Sequence, residues 1–329
     1  MGDSFGSNGL GILRSHGVTD YYPEHTGNMR HAFKRLFVGV KGVRSGWRVL
    51  LYCAVLAALV SCFVLVIRAV HARPAMPGQP AAVLTPGRAA LNEGALLLGV
   101  LLTSAMFARF EKCSMADYGL PIGGKAAKRF LEGLLWGVAL MSGVLVVLRL
   151  TGNFHFGQIT LPPEQMAWFA IGWAVVFSLV GVAESFAFAG YPLFALTRGL
   201  GFWPAAALLG ALFGSLHFVV NAGENWPGSL SLAIVGLLVA FTLQRTGSLW
   251  FAIGMHAAWD WAQSFLYGVP DSGITVAGHL FTPSFQGSPL MTGGSAGPEA
   301  SIVTFVGYLF AFAFISFRFP ERAKAHVIA

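Results

Sequence analysis

Glu184 lies within "VAESFAFAGYPLFALTRG" (182–199), where its neighbours are aromatic, small or aliphatic. A carboxylate in such surroundings can act as a general base if it faces a polar cavity rather than lipid. Two further apolar stretches each carry an imidazole: His217 in "GALFGSLHF" and His256 in "GSLWFAIGMHAAWD". Asp260 follows His256 by four residues, so the two side chains share one helix face. These four groups are of the types from which a hydrolytic site is built.

The elements that must position these side chains are membrane helices. Of the 329 residues, 55% are hydrophobic and 11% charged, whereas about a quarter of the residues in soluble domains are charged. Apolar runs of about 20 residues, long enough to cross a bilayer, recur along the chain. The sequence therefore predicts an all-α, polytopic transmembrane helical bundle of about eight spans. The predicted spans are 47–70, 89–110, 130–150, 166–187, 203–221, 229–244, 248–267 and 301–317.

The positive charges predict the orientation of the bundle. If eight spans alternate, all but four of the 21 Lys and Arg residues fall on one side. The four on the opposite side are Arg68, Arg73, Arg88 and Arg149. Because cytoplasmic loops hold the excess of positive charge, both termini are expected to face the cytoplasm. Topology and anionic lipid then explain the net charge of +7, and no nucleic-acid partner is expected.

The same reading divides the chain into three parts. Residues 1–46 form a cytoplasmic N-terminal segment, within which Met29–Arg48 is predicted to be an amphipathic surface helix. Residues 47–317 form the transmembrane domain, and 318–329 a cytoplasmic tail. The first 46 residues do not have the pattern of a cleavable signal peptide. We therefore expect a multi-pass protein of the cell membrane, with a bacterial inner membrane as the most natural location.

Depth along the helices predicts that the four groups meet. At a rise of about 1.5 Å per residue, Glu184 lies roughly 15 Å deep, His217 about 21 Å, and His256 and Asp260 about 12 to 18 Å. Groups at similar depth on three helices indicate one shared intramembrane site. Asp260 is expected to accept a hydrogen bond from one nitrogen of His256 and so direct the other nitrogen toward the cavity.

Three other features have less specific interpretations. Gly210 and Gly214 form a small-residue face that lets helices approach closely next to His217. Glu93 and Glu132 lie near predicted helix ends, where a structural role is expected. The Gly/Pro/Ser-rich stretch 268–300, on the non-cytoplasmic side, is either a linker or a lid over a site.

"AESFAFAGYPL", "FGSLHF" and "GSLWFAIGMHAAWD", in this order on three helices, resemble the signature motifs of the CPBP family, the CAAX protease and bacteriocin-processing membrane proteins. The resemblance covers about residues 110–267, with the motifs at 182–267, and extends to the type II CAAX prenyl endopeptidases. It implies an eight-helix intramembrane protease. It also implies that Glu184 and His217 activate a water, while His256 and Asp260 stabilise the oxyanion.

The first motif departs from the family pattern E-E-x-x-x-R at two positions. Ser185 stands in place of the second Glu and Ala189 in place of the Arg. The two positions are four apart, which is the spacing of a helical ion pair. Loss of one partner strands a buried charge at a cost of about 3 to 5 kcal/mol, whereas replacement of both can be neutral. The joint change therefore indicates removal of a charge-balanced unit.

The assignment also makes chemical sense from the residues alone. Peptide hydrolysis needs a base for water, which Glu184 with His217 supplies, and donors at the developing oxyanion. An ionised Asp260 cannot donate, so His256, held by Asp260, is the expected oxyanion donor. No cofactor is required. A zinc ion held by two His and a Glu or Asp is the alternative mechanism.

The sequence thus predicts an intramembrane endopeptidase, a CAAX-type hydrolase. Its expected partners are the lipid bilayer and a membrane-tethered peptide or protein substrate, of which a prenylated one is an example. Two alternatives remain open. One is a catalytically silent family member that acts as a membrane binding or immunity protein, which Ser185 and Ala189 would suit. The other is an ion-coupled transporter that uses the same polar groups as a relay.

Overall fold

The computed structural model describes residues 37–39, 42–70 and 84–320. The chain separates into a unit of residues 1–44 and a unit of residues 45–329. In the described part of the first unit, β1 (Val38–Gly39) pairs antiparallel with β2 (Gly42–Val43). A continuous amphipathic helix over 29–48 is therefore wrong where the structure describes it. Gly42 has φ +96°, which allows a turn rather than a helix; the rest of that prediction lies outside the described residues.

The second unit is helical. In chain order its helices are α1 (Ser45–Val70), α2 (Pro86–Glu111), α3 (Gly124–Leu150), α4 (Pro163–Ala189), α5 (Tyr191–Leu200), α6 (Phe202–Val220), α7 (Trp226–Thr246), α8 (Trp250–Trp261), α9 (Pro289–Thr292) and α10 (Ile302–Arg318). A π-helical turn, Ala262–Leu266, extends α8, and Pro298–Ala300 form a 3₁₀ turn. The strands β3 (Phe154–His155) and β4 (Ser284–Phe285) pair with each other.

Each of the eight predicted spans coincides with a helix, so the all-α polytopic bundle is confirmed. Within the described ranges, six helices are long and apolar enough to cross a membrane. The other two are shorter, because α8 has 12 residues before its π turn and α10 has 17. The number of spans and the side on which the termini lie stay predictions.

The basic side chains gather at one end of the bundle, which we call the basic end. Glu111 at the end of α2 accepts Arg48 of α1 at 3.1 Å and Arg198 of α5 at 2.9 Å. Arg318 at the end of α10 pairs with Glu132 near the start of α3 at 2.7 Å. Because Arg48 lies near the start of α1 and Glu111 at the end of α2, these two helices run in opposite directions. Glu132 and Arg318 likewise place the start of α3 beside the end of α10.

A buried aromatic group packs the basic end. Tyr191 stacks on Tyr52 with ring centroids 5.0 Å apart and contacts Phe107 at 4.6 Å. Tyr191 also donates a hydrogen bond to Glu111 at 2.8 Å. Tyr118 packs on the edge of Tyr191 at 5.4 Å. The group ties α1, α2 and α5 together beneath the salt bridges.

Residues 268–300, which we call the cap, cover the opposite end of the bundle. The cap pairs through β4 with β3 and accepts a hydrogen bond from Trp173 at the Ala277 carbonyl, 2.9 Å. Asn225 donates to the Gly293 carbonyl at 2.8 Å, and Ser231 to the Glu299 carbonyl at 2.8 Å. Of the two interpretations of this stretch, the structure agrees with a lid folded over the helix ends and not with an unstructured linker.

Small residues set the helix spacing around the centre of the bundle. A Cβ at Gly133 or Gly137 of α3 would collide with backbone carbonyl oxygens of α8. The same holds for Gly210 and Gly214 of α6 against α7. The predicted close approach next to His217 is therefore confirmed. These contacts fix α6 and α8, the two helices that carry the histidines.

Candidate active site

The four side chains selected from the sequence meet in one place. Nε2 of His217 lies 3.9 Å from Oε1 of Glu184, and Nε2 of His256 lies 3.8 Å from Oε2 of the same carboxyl. Nε2 of His256 is also 3.3 Å from Oδ2 of Asp260. The predicted shared intramembrane site is thus present as a geometric cluster, contributed by α4, α6 and α8.

Helix packing brings Glu184 to the histidines. A Cβ at Gly181, one turn before Glu184, would lie 2.9 Å from the Ile253 carbonyl oxygen and 3.1 Å from the Cβ of Ala257. The absence of a side chain at Gly181 lets α4 approach α8 one turn from His256. Ala183 is buried, whereas the side chain of the neighbouring Glu184 is about 22% exposed. That exposure is to the internal cavity described below.

A backbone contact fixes the ring of His217. Its Nδ1 lies 2.9 Å from the Phe213 carbonyl oxygen, one turn earlier in α6. Because a carbonyl can only accept, Nδ1 carries the hydrogen, and in the neutral ring Nε2 is left as an acceptor facing Glu184. The Phe213 ring packs edge-on against the imidazole at 4.5 Å. His217 is therefore oriented before any ligand arrives.

His256 is arranged differently from the sequence prediction. Asp260 approaches Nε2, the nitrogen that also faces Glu184, whereas Nδ1 points to the hydroxyl of Ser185 at 3.4 Å. The expectation that Asp260 would hold the nitrogen turned away from the cavity is wrong. Both side chains leave α8 on the same face, so the carboxylate reaches the nearer nitrogen at the cavity wall. The hydroxyl of Ser185 takes the position behind the ring.

A cavity of about 390 Å³ extends from these residues toward the cap. Its walls come from α2, α4, α6, α7 and α8 and from the cap, and they are mostly apolar, with Trp173, Phe177 and Trp259 among them. Glu93, Asp271 and Glu299 also line it. Among the described residues, no Lys or Arg lines this cavity.

Sequence reasoning missed Asp271 and Glu299 and expected a structural role for Glu93 and Glu132. Glu132 has such a role through its ion pair with Arg318, whereas Glu93 lines the cavity. Asp271 and Glu299 lie in the cap, which has no hydrophobic periodicity to place them. The available signal was two acidic residues standing alone in a long uncharged segment.

The cap carboxyls belong to a hydrogen-bond network. Glu299 accepts from the Ser272 backbone amide at 2.9 Å and from Gln263 at 3.2 Å. Asp271 accepts from Ser264 at 3.0 Å. Burial raises the pKa of Asp271 to about 6 and raises the pKa of Glu299 as well. The network joins the cap to the π turn after α8.

A second, smaller space lies on the basic-end side of the site. It has a volume of about 20 Å³ and is bordered by Ser185, Ala189, Phe213 and His256. This is about the room that one water needs. It lies where the family pattern has its second Glu and its Arg, as expected if both long side chains were lost together.

The histidines and Glu184 are spaced for a bridging water. Two ligands that each lie about 2.0 to 2.1 Å from a tetrahedral zinc are about 3.3 Å apart, whereas the separations here are 3.9 and 3.8 Å. Within residues 84–320, no group of three or more His, Cys, Asp or Glu side chains has metal-site geometry. That the site works without a metal stays a prediction.

The comparisons with known proteins give one family match, which spans this site. Residues 166–262 match the family model described as Rce1-like, type II CAAX prenyl endopeptidase. The matched segment contains Glu184, His217, His256 and Asp260. The resemblance to the CPBP family is therefore confirmed over this segment. No curated protein and no solved structure matches the chain significantly.

Proposed function

We propose that the protein is an intramembrane endopeptidase that hydrolyses a peptide bond of a membrane-tethered substrate. The observation that carries the proposal is the convergence of His217 and His256 on the two oxygens of Glu184, within 3.9 Å. The family of residues 166–262, a type II CAAX prenyl endopeptidase model, supports the reaction class. A prenylated peptide is one substrate of this kind, since apolar side chains form most of the cavity wall.

In the proposed mechanism a water bridges Glu184 and Nε2 of His217. The 3.9 Å gap between these atoms is too long for a direct hydrogen bond but short enough for one water to contact both. The carboxylate takes a proton as the water oxygen attacks the scissile carbonyl carbon, and the proton then passes to the leaving amine. His217, held by Phe213, positions the water.

His256 supplies the hydrogen bond to the developing oxyanion. Its Nε2 faces Glu184 at 3.8 Å, so a carbonyl under attack by water at Glu184 has this nitrogen within reach. The contact with Asp260 is long, 3.3 Å, so the N–H of His256 can be shared between this carboxylate and the oxyanion in a three-centre hydrogen bond. We assign Asp260 as a positioning residue that keeps Nε2 at the cavity wall. Ser185 supports the ring from behind.

Glu184→Gln and His217→Ala test the assignment. Each variant is expected to lower the cleavage of a reporter peptide in detergent by more than about a hundredfold, the low end for loss of a general base. Glu164→Gln is a matched control, because Glu164 lies exposed in the first turn of the same helix. Near wild-type cleavage by either site variant, with unfolding temperature unchanged, would refute the assignment.

The metal question has its own test. The proposed mechanism uses Glu184 and His217 without a metal, so purified enzyme is expected to remain active after incubation with a strong chelator. Elemental analysis of the same sample is expected to show no stoichiometric zinc. One tightly bound zinc per chain, together with loss of activity on chelation and its recovery on zinc addition, would replace the water-only mechanism.

A catalytically silent membrane binding protein is the second candidate function. Ser185 and Ala189 favour it, since they depart from the family motif beside Glu184. Such a protein would hold a membrane-tethered partner without cleaving it, and Glu184→Gln would not change what it holds. Turnover by the wild-type chain that disappears in Glu184→Gln excludes this candidate. Movement of a solute across the membrane that requires an ion gradient would instead indicate a transporter.

A further inference from the structure

The large cavity leads from the candidate site toward the cap end and not toward the basic end. Its wall includes Leu84 before α2, Asn221 after α6, and Ile274 and Val276 of the cap. By the direction of their helices, Leu84 and Asn221 both lie at the cap end. The site can thus be reached by a peptide that comes from that end.

The rim of the cavity is exposed at the same end. Leu216 and Val220 of α6 line the cavity and are 51% and 68% exposed, and Ile274 of the cap is 41% exposed. Asn92 of α2 faces them and is exposed. These residues bound an opening between α2, α6 and the cap.

The basic end is closed below the site. The space on that side of Glu184 has a volume of about 20 Å³, and the rings of Phe188 and Phe213 pack edge-on at 4.9 Å beside it. The aromatic group of Tyr52 and Tyr191, both fully buried, lies farther toward that end. A peptide cannot pass through this packing without unfolding it.

Acidic side chains line the open side of the cavity. Glu93 and Asp271 lie close enough to Glu184 to interact with it electrostatically, and Glu299 lines the same wall. Glu224 stands behind Ser272; it is 9% exposed, and its Oε2 is buried without a hydrogen-bond partner. No Lys or Arg among the described residues lines this wall. Ionisation of a buried carboxyl group is costly unless a cation pairs with it, so a cation from the substrate would stabilise the ionised form.

The cation that suits this wall is an organic one. The described carboxyl groups do not form a cluster with the geometry of a metal site. They are instead distributed along the cavity from Glu184 to Glu299. A lysine or arginine side chain on an extended peptide can reach among separated carboxyls because its charge stands on a long flexible stem.

We propose that the substrate approaches from the cap end and presents a Lys or Arg side chain to Glu93, Asp271 and Glu299 while its scissile bond lies at Glu184. The proposal rests on the proposed endopeptidase activity and narrows its substrate class. That class is membrane-tethered peptides with a basic residue on the cap side of the bilayer. Asp271 and Glu299 give the cap a role in substrate selection.

Three reporter peptides test the charge preference. They share one apolar sequence and carry Lys, norleucine or Glu at a position that is moved stepwise along both sides of the cleaved bond. At one position we expect kcat/KM for the Lys peptide to exceed that for norleucine by tenfold or more, with the Glu peptide slowest. Norleucine keeps the length of the stem without its charge, so the ratio reports the cation alone.

Two variants test whether the preference for Lys depends on carboxyl groups of the cavity wall. In Glu93→Gln and Asp271→Asn the Lys-to-norleucine ratio is expected to fall below about threefold, whereas Glu164→Gln keeps the wild-type ratio. Equal cleavage of the Lys and norleucine peptides at every position by the wild type would overturn the inference. If Glu184→Gln then cleaved neither peptide, the proposed endopeptidase function would still stand.

If the wild type cleaves no peptide, the binding of the same peptides to the wild type is measured instead. Tenfold tighter binding of Lys over norleucine supports the inference, and equal binding overturns it.

Discussion

At the scale of single residues, the site depends on which nitrogen of each histidine faces Glu184. The Phe213 carbonyl fixes His217, while Asp260 and Ser185 contact opposite nitrogens of His256. Ser185 is therefore more than the remnant of a lost glutamate, because its hydroxyl lies 3.4 Å from the ring. A carboxylate at position 185 would put a second negative charge beside Glu184.

Restoring the family residues tests whether positions 185 and 189 act together. Both are 5% exposed, so Ser185→Glu alone or Ala189→Arg alone is expected to lower the free energy of unfolding by about 3 to 5 kcal/mol through an uncompensated buried charge. The double variant is expected to recover part of that loss. Its recovery is incomplete because the 20 Å³ space is too small for both side chains, and overpacking costs about 1 to 3 kcal/mol.

Thermal unfolding in detergent of the four combinations gives the coupling energy. Peptide cleavage by the same four proteins shows whether a cation near Glu184 restores or blocks the base. Strictly additive losses would mean that the two positions do not interact. The joint replacement would then have no basis in a lost ion pair.

At the scale of elements, the cap connects the site to the surface. The cap is attached to β3, to α7 and to the π turn. Its contacts with the π turn are hydrogen bonds to carboxyl groups of the cap. Asp271 accepts from Ser264, and Glu299 from Gln263 and Ser272. Any change in the protonation of these acids therefore acts on the cap, and through it on the cavity wall.

The stability of the cap is expected to depend on pH. Burial raises the pKa of Asp271 from an ordinary 3.8 to about 6, so the folded state binds more protons than the unfolded state between these values. Stability therefore falls as pH rises from about 4 to about 6. Glu299 and Glu224, which face Asp271, also have raised pKa values from burial and act in the same direction.

Chemical unfolding in detergent between pH 4 and 8 measures this dependence. Asp271→Asn keeps an acceptor for Ser264 and is expected to show a smaller decline than the wild type. Asp117→Asn is a contrasting control. The backbone amide of Ser114 holds the pKa of Asp117 below its usual range, so this group contributes the opposite slope. A wild-type profile that is flat or rises between pH 4 and 6 contradicts the prediction.

At the scale of the whole molecule, the pattern of apolar runs was enough to predict the bundle and the meeting of Glu184, His217, His256 and Asp260. The regular rise of a helix converts residue number into depth, and a carboxylate or imidazole at mid-depth needs a partner. The cap and its two acids could not be predicted this way, because loop conformation follows tertiary contacts such as Trp173 to Ala277. The prediction of which His256 nitrogen contacts Asp260 was wrong because that contact depends on the side-chain rotamer, which residue spacing does not specify.

Labelling of introduced cysteines tests the predicted sidedness, on which the location of the substrate depends. In a chain whose Cys53, Cys62 and Cys113 are replaced by Ser, Ala116→Cys marks the basic end and Ser288→Cys marks the cap; both positions are exposed. Positive charge is retained on the cytoplasmic side, so a membrane-impermeant maleimide is expected to label Ser288→Cys in intact cells. Ala116→Cys should react only after permeabilisation. The reverse pattern would place the cap in the cytoplasm and move the proposed basic substrates to the cytoplasmic face, because the cavity lined by the described residues opens toward the cap.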